Sequence, residues 1–207
     1  MFAPRMPAAM IGRLWTMLAH TQRSLLNSSR LAKSLEASSP IVGRYIDLLS
    51  DLLLVRRLRP WSGNLGKRLV KAPKTYIRDA GLVHALLDIA TLDDLLGHPA
   101  AGPSWEEIVI ESLISSAGPQ AIPSFFRTED GAEIDLVIER GGRVVFAIEI
   151  KRSTAPKVEQ GFYWAANDIG AARRIVVTPG TDHYPLREGA EVMPLHMALK
   201  EVAPRKA

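Results

Sequence analysis

The sequence predicts an α/β protein in two parts: a basic, helical part over residues 1–80 and an acidic part over residues 81–207, built on a mixed central sheet. Three observations carry this reading. The charge changes sign along the chain: residues 1–80 hold 14 Lys/Arg against 4 Asp/Glu, a net +10, whereas residues 81–207 hold 12 against 18, a net −6. The apolar spacing changes too, from three- and four-residue steps in the first part to alternation in the second. Finally, 207 residues with 47% hydrophobic and 23% charged content suffice for a real core, and disorder is excluded. At roughly 100–200 residues per domain, one large or two small domains are expected.

Composition excludes several chemistries. There is no cysteine, which removes disulfide scaffolds, thiolate-bound zinc and thiol nucleophiles. No run approaches the ~18 apolar residues of a membrane helix, the longest candidate being Leu52-Leu53-Leu54-Val55. The start, MFAPRMPAAMIG, places prolines where a secretory segment carries an unbroken apolar stretch, so no signal peptide and a cytoplasmic location are expected.

From Pro7 to His20 an apolar stripe of Met10, Leu14, Met17 and Leu18 recurs at helical spacing. Ser28-Ser29 offer an N-cap before Leu31, Ala32 and Leu35, and Ser38-Ser39 offer another before Pro40, which suits a first helical turn. Ile41, Tyr45, Leu48, Leu49 and Leu52 then repeat at helical steps. Two short helices and a tight turn read as helix-turn-helix. Short extended segments follow on either side of the turn Ser62-Gly63-Asn64-Leu65-Gly66, which completes the layout of a winged helix. Its cations Arg44, Arg56, Arg57, Lys67 and Arg68 are the candidate nucleic-acid contacts, with DNA the expected partner. The bland alternative is a solvated face, or a surface that docks an acidic neighbour. Gly63 to Arg68 is not a phosphate loop: two residues separate the glycines, Arg68 stands where Ser/Thr must ligate magnesium, and no helix follows.

In the acidic part, Trp105, Ile108, Val109, Ile110, Leu113 and Ile114 predict a helix after Gly102-Pro103-Ser104. At about 100° per residue, Glu107 and Glu111 fall on the polar side, but Glu106 falls inside the apolar sector. A carboxylate aimed at a core is costly unless paired or metal-bound. Two strands follow, Glu133–Glu139 and Arg143–Lys151, joined through Gly141-Gly142. A two-residue turn alone sets Ile134, Leu136 and Ile138 beside Val145, Ala147 and Glu149. An odd loop sets them beside Val144, Phe146, Ile148 and Ile150, which makes one face wholly apolar, and register follows such a face. That register also gathers Asp135, Glu149 and Lys151 on the opposite face, with Asp135 beside Glu149.

Two carboxylates and a lysine on one sheet, with Glu106 from the preceding helix, form an oxygen-rich site for magnesium or manganese. In this reading Glu106, Asp135 and Glu149 hold the ion, and Lys151 positions water or stabilises developing charge on a phosphodiester. The competing reading is a plain Glu149–Lys151 surface pair. Beyond it, Lys157–Ile169 predicts a helix, Arg173–Thr178 a buried strand and Glu191–Leu195 a short last strand. Helix, hairpin, strand, helix, strand is the core order of the restriction-endonuclease-like fold. The five histidines lie far apart with no ligand or triad spacing, and no Gly-x-Ser-x-Gly occurs.

A family resemblance rests on Leu31-Ala32, Arg44-Tyr45-Ile46-Asp47-Leu48-Leu49, Leu58-Arg59-Pro60-Trp61 and, most specifically, Lys74-Thr75-Tyr76-Ile77-Arg78-Asp79-Ala80-Gly81-Leu82. It extends through Trp105-Glu106, Glu133-Ile134-Asp135-Leu136-Val137 and Glu149-Ile150-Lys151. Over nearly its whole length the chain resembles the C-terminal region of AAA+ ATPases that carry domain of unknown function 4143, within the PD-(D/E)xK nuclease superfamily. The resemblance implies a winged helix over 1–80 and a nuclease-like domain over 81–207, with Glu106, Asp135, Glu149 and Lys151 as the superfamily's quartet. It does not include the family's ATPase core, so ATP hydrolysis is not carried over. The expectation is a metal-dependent nuclease or nuclease-like DNA-binding protein. The alternative is a catalytically silent nucleic-acid-binding or protein-interaction module that couples to an AAA+ ATPase supplied in trans.

Overall fold

A computed structural model describes residues 7–63, 65 and 68–204. Met1–Met6, part of the stretch that bears on a leader, and Lys67, one of the expected nucleic-acid contacts, lie outside the described residues. The fold is mixed α/β, with a small two-stranded sheet and a six-stranded one. Its contacts divide the chain into two compact units, Met1–Arg57 with Ala72–Glu107, and Leu58–Lys71 with Ile108–Ala207. This division is interleaved, where the sequence suggests one cut after residue 80.

In the first unit, α1 (Ala8–His20) buries Leu14, Leu18 and Ala19. Helix α2 (Ser28–Ser34) is capped one residue earlier than the serines suggest, because the Asn27 side chain accepts from the Arg30 amide at 2.9 Å. Helix α3 (Ser39–Asp51) has Pro40 in its first turn and buries Val42, Tyr45, Ile46 and Leu49. The expected stripe is thus rotated: Leu48 and Leu52 are 38% and 58% exposed. Strands β1 (Val55–Leu58) and β2 (Lys74–Ile77) form the small sheet. Helix α4 (Ala80–Leu86) starts at Asp79, whose side chain accepts from the Leu82 amide, and it sends Val83 into the same core as α1–α3. That packing is why residues beyond 80 belong to this unit. Helix α5 (Leu92–Gly97) carries a Thr91/Asp94 capping box and buries nothing.

Helix α6 (Ala101–Ala117) takes Gly102 and Pro103 into its first turn, where the missing proline N–H is no loss. Its faces correct the helical-wheel reading at two positions. Glu107, expected on the polar side, is 2% exposed, and Ile108, expected in the core, is 40% exposed.

The second unit is a sheet of order β3-β4-β5-β6-β8-β7, from β3 (Ile122–Arg127), β4 (Glu133–Arg140), β5 (Arg143–Ile150), β6 (Arg173–Thr178), β7 (Tyr184–Pro185) and β8 (Ala190–Pro194). Strands β3, β4 and β5 run antiparallel, β5, β6 and β8 parallel, and β7 antiparallel to β8. Helix α7 (Gln160–Asp168), shorter than expected because the chain turns helical only after Glu159, buries Phe162, Tyr163, Ala165 and Ala166. Sequence periodicity misses β3, whose Pro123 and bulge between Ser124 and Phe126 break the alternation, and the last helix α8 (Leu195–Val202). Arg140 donates to the carbonyls of Ala117 and Val202, at the C-terminal ends of α6 and α8, where a cation is favoured.

The segments that flank the expected hairpin tip do not stand free. The Trp61 amide donates to the Phe125 carbonyl at 2.6 Å, Phe125 returns a bond to the Arg59 carbonyl, and the Val70 amide donates to Arg127 at 3.1 Å. Residues 59–61 and 69–70 therefore line the outer edge of β3, satisfying backbone groups that an edge strand leaves open. No helix among the described residues is long and apolar enough to cross a membrane.

Candidate functional site

The site is built by the β4–β5 hairpin. Gly141 and Gly142 have φ of +55° and +74°, a two-residue turn that side chains would strain. Pairing starts at Arg140–Arg143 and Glu139–Val144, then slips so that Ile138 faces Phe146, Val137 faces Ala147 and Leu136 faces Ile148. The glycine turn and the apolar register, alternatives in the sequence, coexist because a bulge absorbs Val145. One step beyond Leu136–Ile148, Asp135 comes beside Glu149. Its Oδ2 accepts from the Ile150 amide at 3.0 Å, so the carboxylate closes the fraying end of the ladder.

Lys151 leaves the strand end and puts Nζ 2.7 Å from Glu149 Oε1. The glutamate side chain is 10% exposed and the lysine 30%. Burial, then the neighbouring Asp135 charge, pushes the Glu149 carboxyl up from 4.5 to about 8, against the pull of Lys151; Glu133 adds to the rise. Burial works against the Lys151 ammonium, but Glu149, Asp135 and Glu159 outweigh it and hold its pKa above the ordinary value. Buried Glu149 and half-buried Asp135 thus both act on the Lys151 ammonium, with Glu133 and Glu159 adding negative field. Burial and that field together favour a proton on Glu149 near neutral pH. A hard divalent cation suits the same oxygen donors. Among the described residues no group of three or more His, Asp or Glu is arranged to hold a metal. Asp135 and Glu149 fit magnesium in the manner of sites that use one or two carboxylates and leave the other positions to water and substrate.

The structure thus brings Asp135, Glu149 and Lys151 together. Glu106 is a residue of the first unit and is 3% exposed there. Tyr76 donates its hydroxyl to Glu106 Oε1 at 2.8 Å, Arg23 Nη1 lies 3.1 Å from Oε2, and Lys74 Nζ lies 3.8 Å from Oε1. Lys74 is itself 2% exposed. The partner that an inward glutamate requires is here a pair of cations and a phenol. Sequence reasoning missed all three. The available signal was that Lys74 and Tyr76 fall in the most specific family stretch, on a strand whose four residues are all buried.

Of the expected nucleic-acid contacts, Arg44 is exposed on α3, Arg56 is half-buried on β1, and Arg57 is held 2.7 Å from Asp47. Arg68 is exposed and belongs to the second unit, where its carbonyl accepts from the Glu129 amide.

Comparison with known proteins adds no chemistry. The chain is 40% identical over 195 residues to uncharacterized proteins of Mycobacterium bovis and Mycobacterium tuberculosis, covering 94% of this chain and 44% of each relative. It therefore spans less than half the length of these curated relatives. No solved structure matches. Residues 1–93 match one domain of unknown function (DUF8612). The resemblance read over nearly the whole chain is found for its second part: residues 101–198, which include Asp135, Glu149 and Lys151, match the domain of unknown function (DUF4143).

Proposed function

We propose that the protein is a metal-dependent phosphodiesterase acting on nucleic acid, with DNA the favoured substrate, and that Asp135, Glu149 and Lys151 are its working residues. The observation that carries this is the placing of Asp135, Glu149 and Lys151 together at the end of the hairpin, with Lys151 2.7 Å from a buried glutamate that is pushed up to about 8. A magnesium or manganese ion held by these two carboxylates would polarise a phosphodiester and acidify water. Asp135 is oriented by the Ile150 amide. Glu149 gives up its proton when a cation enters. Lys151, half-buried and anchored to Glu149, orients water or steadies charge on the phosphate, and carries no lone pair for a metal at neutral pH. Glu106 is engaged by Arg23, Lys74 and Tyr76, so the reading rests on the other three members of the expected quartet. The α2–α3 helix pair, read as the helix-turn-helix of a winged helix, is proposed to contact DNA through Arg44, Arg56 and Arg57. The restriction-endonuclease-like fold, the cytoplasmic location and an AAA+ ATPase partner remain part of the proposal on the strength of the motif resemblance.

The test is manganese titration calorimetry on the full chain alongside a nuclease assay. Wild type is expected to bind manganese and to nick or degrade DNA or RNA. Asp135→Ala should lose both activities, while Lys151→Ala should lose cleavage and keep metal binding. Cleavage by Lys151→Ala at the wild-type rate would place any nuclease elsewhere. A second reading, a silent module that keeps the fold without the chemistry, is favoured by one observation, the absence of a third metal-holding side chain among the described residues. Absence of manganese binding in wild type selects it.

A further inference from the structure

Residues 60–63 and 68–71 line an open groove of about 660 Å³ in the second unit, walled by Trp61, Arg68, Leu69 and Lys71, with Glu129 on its rim. The indole is set by its surroundings. It meets the Phe126 ring at 6.0 Å and 52°, and it lies so close over Gly63 that a Cβ there would fall within 2 Å of the ring. Glycine is therefore required at 63 for the aromatic ring to hold this position. Trp61 remains half-buried, while Arg68 and Lys71 are exposed. An aromatic surface flanked by two cations is the arrangement that takes a nucleobase on the ring and its phosphates on the charges. A duplex offers no unstacked base for such a ring.

The groove's position gives this a purpose. Residues 68–70 bond to Arg127 and Glu129 at the end of β3, and Arg127 pairs with Glu133 at the start of β4. Asp135 is two residues further along β4, and β5 ends beside it at Glu149 and Ile150. The groove and the carboxylate pair thus share one end of the sheet, two to three inter-strand steps of about 4.8 Å apart. The groove shares a face with Glu149 as well. Trp61 and Leu69 pack against the cluster that holds Ala147, two places along β5 from Glu149.

We propose that the Trp61–Arg68–Lys71 groove binds an unpaired nucleotide and so directs a single strand to the Asp135–Glu149 site. This rests on the phosphodiester reading of that site. The experiment is fluorescence anisotropy of the full chain with a labelled single-stranded DNA, the matching RNA and the DNA duplex, in chelator so that no cleavage intervenes. Wild type is expected to bind one or both single strands, and duplex binding, which the proposed helix-turn-helix supports, should not depend on Trp61. A preference between DNA and RNA identifies the source of the strand. Trp61→Ala should weaken single-strand binding tenfold or more and leave manganese binding unchanged. Because Trp61 also packs on Phe126, a second variant guards against misfolding. Arg68→Ser with Lys71→Ser, both exposed, should lower the slope of log affinity against log salt by about 1.4, at about 0.7 per phosphate. Wild-type single-strand affinity in Trp61→Ala, an equal loss of duplex and single-strand affinity in that variant, an unchanged salt slope in the double variant, or no strand binding at all overturns the proposal. Strand binding without manganese binding removes the nuclease reading and leaves the groove standing.

Discussion

Two buried carboxylates, one in each unit, meet opposite electrostatic conditions. Glu106 in the first unit has Arg23, Lys74 and the Tyr76 hydroxyl around it, so its charge is matched. Glu149 in the second unit has Lys151 at 2.7 Å, but Asp135 beside it competes for the same cation. Burial is nearly the same, at 3% and 8% exposure, so depth does not separate them; the sign of the neighbouring charges does. A matched buried charge stabilises the fold around it. An unmatched one stores a demand for a proton or a metal, and that demand is what a binding site consists of.

The largest effect should come from breaking the matched pair. Glu106→Ala removes a carboxylate that faces the buried Lys74 ammonium, which costs about 3–5 kcal/mol, read by urea unfolding of the full chain. Glu149→Gln should instead be nearly neutral at pH 6, since the amide has the shape of the protonated carboxyl that occupies the site there. Equal losses for the two variants would erase the distinction between them.

The pH response sharpens it. Glu149 titrates near 8 when folded and near 4.5 when unfolded, so the folded protein holds a proton that the unfolded chain has released. Stability from this group is therefore full below about pH 4.5 and declines as pH rises towards 8. Unfolding at a series of pH values should show this decline in wild type and its absence in Glu149→Gln. The same proton opposes a metal. Apparent manganese affinity is expected to rise by up to tenfold per pH unit below 8 and to level off above it. A flat profile between pH 6 and 8 sinks the view that metal and proton compete for Glu149.

How much of this was legible in the sequence differs between the units for physical reasons. Alternation along Glu133–Arg140 and Arg143–Ile150 determines faces, so the apolar register and the company of Asp135, Glu149 and Lys151 could be read directly. The bulge at Val145 could not, because beyond it the pairing is the one that an odd loop would also give. Glu106 could be read as inward from helical angles, but its partners come from 83 and 30 residues away, beyond the reach of any local period. Glu107 and Ile108 went the other way: a single helix gives angles, and only its neighbours decide which angles are covered. The basic segment around Trp61 has the chemistry of a free hairpin tip, yet the open edge of β3 claims its backbone, and that edge was hidden by Pro123.

The smallest expected effect tests whether distance alone makes an ion pair matter. Arg57 Nη1 and Asp47 Oδ1 are 2.7 Å apart, the same separation as Lys151 and Glu149, but their side chains are 39% and 52% exposed. Water screens both charges, and holding two long side chains in one geometry costs entropy. Arg57→Ala should therefore shift unfolding by less than about 1 kcal/mol. The same screening lets Arg57 leave Asp47 cheaply for a phosphate, as proposed for its DNA contact. On that view Arg57→Ala weakens DNA binding at low salt, and the difference from wild type fades as salt rises. A stability loss as large as that of Glu106→Ala would mean that contact length outweighs environment, and the contrast between the two units would lose its basis.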